Sequence, residues 1–173
     1  ARELGFAIKL LAIASRESGS LSLRVHPALL SKDHLLAKVD GVFNAIEIEG
    51  DLIGKVVLHG QGAGAKPTAS AVLGDILEVA RNLAWRGKPT KNITLNQNLS
   101  LSPIDELVTQ YYVRVTVVDQ AGVLAQIATL LGDLNISIAT AIQKTADSKS
   151  QTAELVIMTH PAKESFVQQA IRQ

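Results

Sequence analysis

Residues 6–15 (FAIKLLAIAS) form a mostly apolar run in which Lys9 is the one charge. A run of that length fits a well-buried strand, and period alone leaves a short helix open as the alternative. Residues 20–26 (SLSLRVH) alternate apolar and polar, as a half-exposed strand does, and Pro27 is expected to end them. Asp40-Gly41 and Gly50-Asp51 are turn signals ahead of residues 42–49 and 52–59, which predicts an antiparallel strand pair within an open sheet. Apolar residues at 69, 72, 73, 76, 77, 80 and 83 then share one helical face. The Thr68 hydroxyl is expected to cap that helix, which ends near Trp85-Arg86-Gly87.

Residues 87–106 (GKPTKNITLNQNLSLSPIDE) are polar, with prolines and asparagines, and read as a linker between residues 1–86 and 107–173. Beyond it the pattern predicts a strand at 107–118, a turn at 119–122, a helix over 123–134 and strands at 136–143 and 152–159, these two joined by the polar loop 145–151. A last helix follows Pro161, with Phe166, Val167, Ala170 and Ile171 as its apolar side. The order β-α-β-β-α is a ferredoxin-like split βαβ unit that lacks its fourth strand, so the fold class is α+β. The chain opens without Met and runs almost at once into a strand. Both ends are expected to be those of a piece of a longer protein.

Composition narrows the function classes. Hydrophobic residues make up 47% of the 173 and charged residues 19%, which is a folded globular balance. Seventeen Lys+Arg against sixteen Asp+Glu, with no basic block, give no support to nucleic-acid or membrane-surface binding. The absence of Cys excludes disulfides, thiolate zinc sites and cysteine nucleophiles. No apolar run reaches the roughly 18 residues of a transmembrane helix, and the expected location is cytoplasmic.

Two segments carry candidate chemistry. Gly60-Gln61-Gly62-Ala63-Gly64 leads into a helix N-terminus, where free N–H groups suit a phosphate, carboxylate or polarised amide. Its spacing is neither a dinucleotide fingerprint nor a P-loop, and a tight structural turn is the competing reading. At Asp119 to Leu124 a strand ends, Gly122 permits close approach, and the N–H groups of Val123 and Leu124 are open to a carboxylate while Asp119 is open to an ammonium. An amino acid carries both groups. The alternative is that Asp119 simply caps the helix. His26, His34 and His59 match no zinc spacing, and Glu47, Glu49 and Asp51 alternate along a strand as an exposed face does. Lys9 is either a base of lowered pKa or a paired, snorkelling lysine.

With these residues in view, the chain resembles the C-terminal half of homoserine dehydrogenase. The resemblance runs through GFAIKLLAIA at 5–14, LRVHPALL at 23–30, KDHLLAKVDGVFNAI at 32–46 and GQGAGAKPTASAVLGD at 60–75. Residues 111–144 are similar to the start of a regulatory ACT domain. The resemblance implies NAD(P)-dependent interconversion of L-homoserine and L-aspartate 4-semialdehyde, in threonine, methionine and isoleucine biosynthesis. It further implies that the nucleotide-binding half and the catalytic lysine precede Ala1, that Lys9 is a decoy, and that the isolated chain does not turn over. Gly62, Gly64 and Thr68 carry over as cofactor-side residues for NADP or NAD. Asp119, Gly122, Val123 and Leu124 carry over as the site of an amino-acid effector, with threonine the family-based expectation. Gln120-Ala121 stands where the family shows a basic residue and Pro, which puts the effector's identity in doubt. A homodimer or higher homo-oligomer is expected. A non-catalytic amino-acid sensor built on residues 107–173 is the alternative function, and a plain oligomerisation piece a third.

Overall fold

The computed structural model describes residues 1–17, 19–84, 99–143 and 151–173. They divide into two units, residues 1–12 with 25–98 and residues 13–24 with 99–173.

The apolar and β-branched runs near the start of the chain become strands β1 (Phe6–Glu17) and β2 (Ser20–Ser31), neighbours in one sheet, and each strand has residues in both units. β2 does not stop at Pro27 but continues through it to Ser31. The missing N–H is tolerated because β2's described partner on its other side pairs only at Ser20 and Leu21, so at Pro27 that edge has no ladder to break. The expectation of a well-buried β1 fails on one face. Exposure alternates along the strand, and Leu10 is 73% exposed while Lys9 lies on the half-buried side.

A single 3-10 turn, Leu35–Lys38, is capped by His34, whose Nδ1 accepts from the Leu36 N–H at 3.2 Å. Strands β3 (Phe43–Gly50) and β4 (Gly54–Gln61) pair antiparallel from Phe43↔Gln61 to Gly50↔Gly54. They make a two-stranded ladder of their own, and the connecting turn lies at 51–53, so β4 starts two residues later than the expected 52. The turn closes on Gly54, whose φ of 64° is the left-handed conformation that glycine accepts at least cost.

Helix α1 (Ala65–Ala84) follows. It starts three residues before Thr68, whose N–H already donates to the Gly64 carbonyl at 3.1 Å. Thr68 is therefore inside the first turn and is not the cap. Pro67 sits where a missing N–H costs nothing. The expected end near residues 85–87 lies outside the described residues, as does most of the 87–106 segment.

The second unit holds nearly all of the buried core among the described residues. Within the segment read as linker, Ser100–Leu101 form β5, parallel to Ser20–Leu21 of β2. The Ser102 hydroxyl donates to the Ser20 hydroxyl at 2.8 Å alongside that pairing. The strand expected over 107–118 is two strands, β6 (Val108–Thr109) and β7 (Tyr112–Val118). Then come α2 (Val123–Asp133), β8 (Ile138–Gln143), β9 (Thr152–Thr159), β10 (Ala162–Lys163) and α3 (Glu164–Arg172). β9 lies between β7 and β8, antiparallel to both, which is the split arrangement that the β-α-β-β order predicts. β10 pairs antiparallel with β6, so α3 begins after a short strand and not directly after Pro161.

Leu155 (1% exposed) and Ile157 (2%) of β9 meet Leu131 of α2 and Val167 of α3 in one cluster, which places both helices on the same face of the sheet. Ala170 packs on that cluster, but Phe166 and Ile171 remain exposed, so α3 buries a narrower stripe than its sequence suggests. At the start of α3, the Tyr111 hydroxyl donates to Glu164 Oε2 at 2.6 Å. Burial, with the Glu164 bond and charge beside it, holds the Tyr111 phenol well above its ordinary value.

Candidate functional site

The β3–β4 register builds the first site. It sets Asn44 opposite Gly60, and the Gly62 N–H donates to the Val42 carbonyl at 2.9 Å, one bond beyond the end of β4. The chain then turns through Gly64 at φ 122°, a conformation L side chains rarely adopt, and enters α1 at Ala65. The first-turn N–H groups of Ala65 and Lys66 precede Pro67, which has none. A shallow, wide-open apolar groove runs from this corner along one face of α1, none of whose residues is buried, lined by Gly64, Ala65, Thr68, Ala69, Val72, Leu73 and Ile76. Gly64 and Thr68 thus line one groove, and Gly62 stands on the approach to it. The arrangement offers backbone donors and one hydroxyl at the mouth of an apolar trough, which suits a ligand with both a polar and a flat apolar part.

The second site lies at one end of the β7-β9-β8 sheet. Gly122 caps α2 at φ 94°, with no side chain completing the cap, so Asp119 is not a capping residue. Its Oδ1 instead accepts from Gln143 Nε2 at 3.1 Å, and its N–H donates to the Gln151 carbonyl at 2.9 Å. The Val123 N–H, expected to be open, leans on the Gln120 carbonyl at 3.4 Å, near the limit of a hydrogen bond. Asp119, Gly122, Val123 and Leu124 all line a concavity of about 280 Å³, together with Gln120, Val117, Val118, Gln143 and others. The sequence reading missed Gln143. Its signal was topological: β7 and β8 both run antiparallel to β9, so they run parallel to each other and their C-terminal ends meet at the same edge.

The other candidates separate. Lys9 Nζ bonds Asp40 Oδ1 at 2.6 Å and the Val39 carbonyl at 2.5 Å, which is the paired lysine and not a free base. Glu47 and Glu49 flank Lys55 at 3.7 and 3.5 Å, while Asp51 lies in the turn and off their strand. His34 Nε2 is 3.6 Å from Glu47, His26 Nδ1 contacts the Pro27 carbonyl, and His59 stacks on Phe43 with centroids 4.9 Å apart. No group of three metal-binding side chains occurs among the described residues. No described helix is long and apolar enough to cross a membrane.

Comparison with known proteins covers the whole chain. Residues 1–77 match the homoserine dehydrogenase family model, and residues 111–173 match the ACT domain model. The homoserine dehydrogenase of Neisseria gonorrhoeae is 42% identical over 99% of this chain and 40% of its own length. That of Helicobacter pylori is 38% identical over 100% of this chain and 40% of its own. The crystal structure of a homoserine dehydrogenase from Thiobacillus denitrificans superposes with a TM-score of 0.83 at 36% identity, over 99% of this chain and 39% of that one. The chain therefore spans about 40% of the length of these relatives. On these matches the chain belongs to the homoserine dehydrogenase family, of which it carries a segment joined to an ACT domain.

Proposed function

We propose that this chain works as part of a full-length homoserine dehydrogenase. In that protein, L-homoserine and L-aspartate 4-semialdehyde would be interconverted, with the dinucleotide as hydride acceptor or donor, in threonine, methionine and isoleucine biosynthesis. NADP or NAD supplies the hydride chemistry when bound. The observation that carries the reading is the Gly64 corner, where a left-handed glycine, the open amides of Ala65 and Lys66 and the Thr68 side chain meet at one end of an apolar groove. A dinucleotide's polar linkages and flat rings ask for that combination. Gly62, Gly64 and Thr68 are assigned to the cofactor side, with α1 covering one edge of the bound molecule and excluding water from it. The chain by itself is expected not to turn over, since it spans about 40% of the length of the relatives it matches.

The ACT part, proposed here as residues 107–173 following a linker at 87–106, takes an amino-acid effector at the Asp119 concavity. Asp119 receives the ammonium, and the backbone at Gly122, Val123 and Leu124 receives the carboxylate. Threonine is the first effector to test. The assembly is proposed to be a cytoplasmic homodimer or higher homo-oligomer.

Equilibrium titration of the chain with a panel of amino acids, beside steady-state assay of the full-length protein, tests both halves. Saturable binding with turnover of the full-length protein supports the reading. A second reading, a non-catalytic amino-acid sensor, draws on the concentration of buried core in the second unit. Binding without any turnover of the full-length protein would select it.

A further inference from the structure

Opposite and diagonal partners on an antiparallel pair share a face. At the open end of β3–β4 this sorts the side chains into two sets. Phe43 and His59 lie on one face, where their rings stack 13° from parallel. Asn44, Gly60 and Gly62 lie on the other, so the Asn44 carboxamide has glycines as its opposite and diagonal neighbours on β4's side.

The two glycines are not equivalent. A Cβ on Gly60 would meet nothing within 4 Å. A Cβ on Gly62 would lie 1.7 Å from Asn44 Nδ2, 2.6 Å from its Cγ and 3.3 Å from its Cβ. Gly62 does not have a positive φ, so backbone conformation does not require glycine there. The Asn44 carboxamide, the far end of an exposed side chain, occupies the volume in which another residue at 62 would begin its side chain, so such a residue would drive Asn44 into another rotamer. The Gly62 N–H is meanwhile held by the Val42 carbonyl at 2.9 Å. The backbone two residues before Gly64 is thus held by a hydrogen bond, with the Asn44 carboxamide lying against it.

We propose that Asn44 is a cofactor-positioning residue: by filling the slot at Gly62 it fixes the course of residues 60–64, and with it the placement of Gly64 and the first N–H groups of α1 against the dinucleotide. This rests on the reading of Gly62, Gly64 and Thr68 as cofactor-side residues. Asn44 acts through the loop. It is solvent-exposed, so its removal is expected to move the cofactor's KM far more than the protein's stability.

The test is steady-state kinetics of the full-length enzyme carrying Gly62→Ala, Asn44→Ala, both together, Asn44→Asp, and Gly64→Ala, beside calorimetric titration of each with the dinucleotide alone, whose Kd is expected to move as the dinucleotide KM does. Gly62→Ala, which drives the Asn44 carboxamide from its place, is expected to raise the dinucleotide KM at least as much as Asn44→Ala does, with the semialdehyde KM little changed. Asn44→Ala is expected to raise it roughly three- to fivefold, and Asn44→Asp, which keeps the shape, to recover most of that loss. The double variant, freed of the clash, is expected to return to the Asn44→Ala value. Should Gly62→Ala fail to fold, folding of the double variant supports the contact, and failure of both overturns it. Multiplying single effects, or an Asn44→Ala enzyme with unchanged dinucleotide KM, overturns the role of Asn44 while leaving the loop assignment standing. If Gly62→Ala and Gly64→Ala both leave that KM unchanged, the cofactor reading itself falls, and this proposal with it.

Discussion

Gln143 donates a hydrogen bond to Asp119 across 24 positions of sequence, at 3.1 Å. The bond ties the C-terminal ends of β8 and β7 together and leaves one carboxylate oxygen of Asp119 for another partner. A positively charged group arriving there would meet an acceptor already oriented, so little freedom remains to be lost on binding.

Asp119→Ala should weaken amino-acid binding by about 1.5–3 kcal/mol, the range for a hydrogen bond to a charged group. Gln143→Ala should cost less, about 0.5–1.5 kcal/mol, because it loosens the acceptor without removing it. Calorimetric titration of both variants checks the order. Equal losses, or none, would show that the concavity is not organised around Asp119.

Tyr111→Phe removes the donor to Glu164 and should lower stability by about 1–2 kcal/mol in urea unfolding at neutral pH. The phenol's folded pKa is raised above its ordinary 10.0. Its contribution is therefore complete below about pH 10 and is lost as the pH climbs from there through the folded value. Wild type should lose stability more steeply than Tyr111→Phe above pH 10, and the two should run parallel below it. A difference that grows toward acid pH would contradict the assignment.

Two glycine substitutions should act with opposite sign. Gly64→Ala forces a side chain into φ 122° and should cost about 1–3 kcal/mol. Gly74 lies in the interior of α1 with nothing within 4 Å of an added Cβ, so Gly74→Ala should stabilise by about 0.5–1 kcal/mol. Thermal melting of the two variants reads the sign directly.

The core and β1 should also respond differently. Leu155→Ala, at 1% exposure, should cost about 2–5 kcal/mol. Leu10→Ala, at 73% exposure, should stay within about 0.5 kcal/mol in the isolated chain. Denaturant midpoints of the two variants decide it.

The second unit was the more legible in sequence, because its periods and its packing agree. Residues 152–159 (TAELVIMT) are a largely apolar run, as suits a strand with partners on both sides, and the strand begins and ends where the run does. Pro27 and Thr68 misled for one reason: each is a local signal overridden by its neighbours. A strand tolerates proline where its edge carries no ladder, and a helix preceded by a left-handed glycine starts before the first hydroxyl that could cap it. The candidate sites were legible as loops, from Gly64 and Gly122. Their side-chain partners, Asn44 and Gln143, were not, because each reaches its site through strand register, and register depends on turns that sequence places only to within a residue or two.

On the proposed function, these 173 residues act within a longer dehydrogenase. The most direct measurement follows nicotinamide absorbance as homoserine is offered with NADP or NAD to the full-length protein and, in parallel, to this chain alone. Turnover by the full-length protein with at least one dinucleotide, and none by the chain, is the predicted result. A full-length protein that oxidises no homoserine with either dinucleotide, or a chain that turns over unaided, would contradict it.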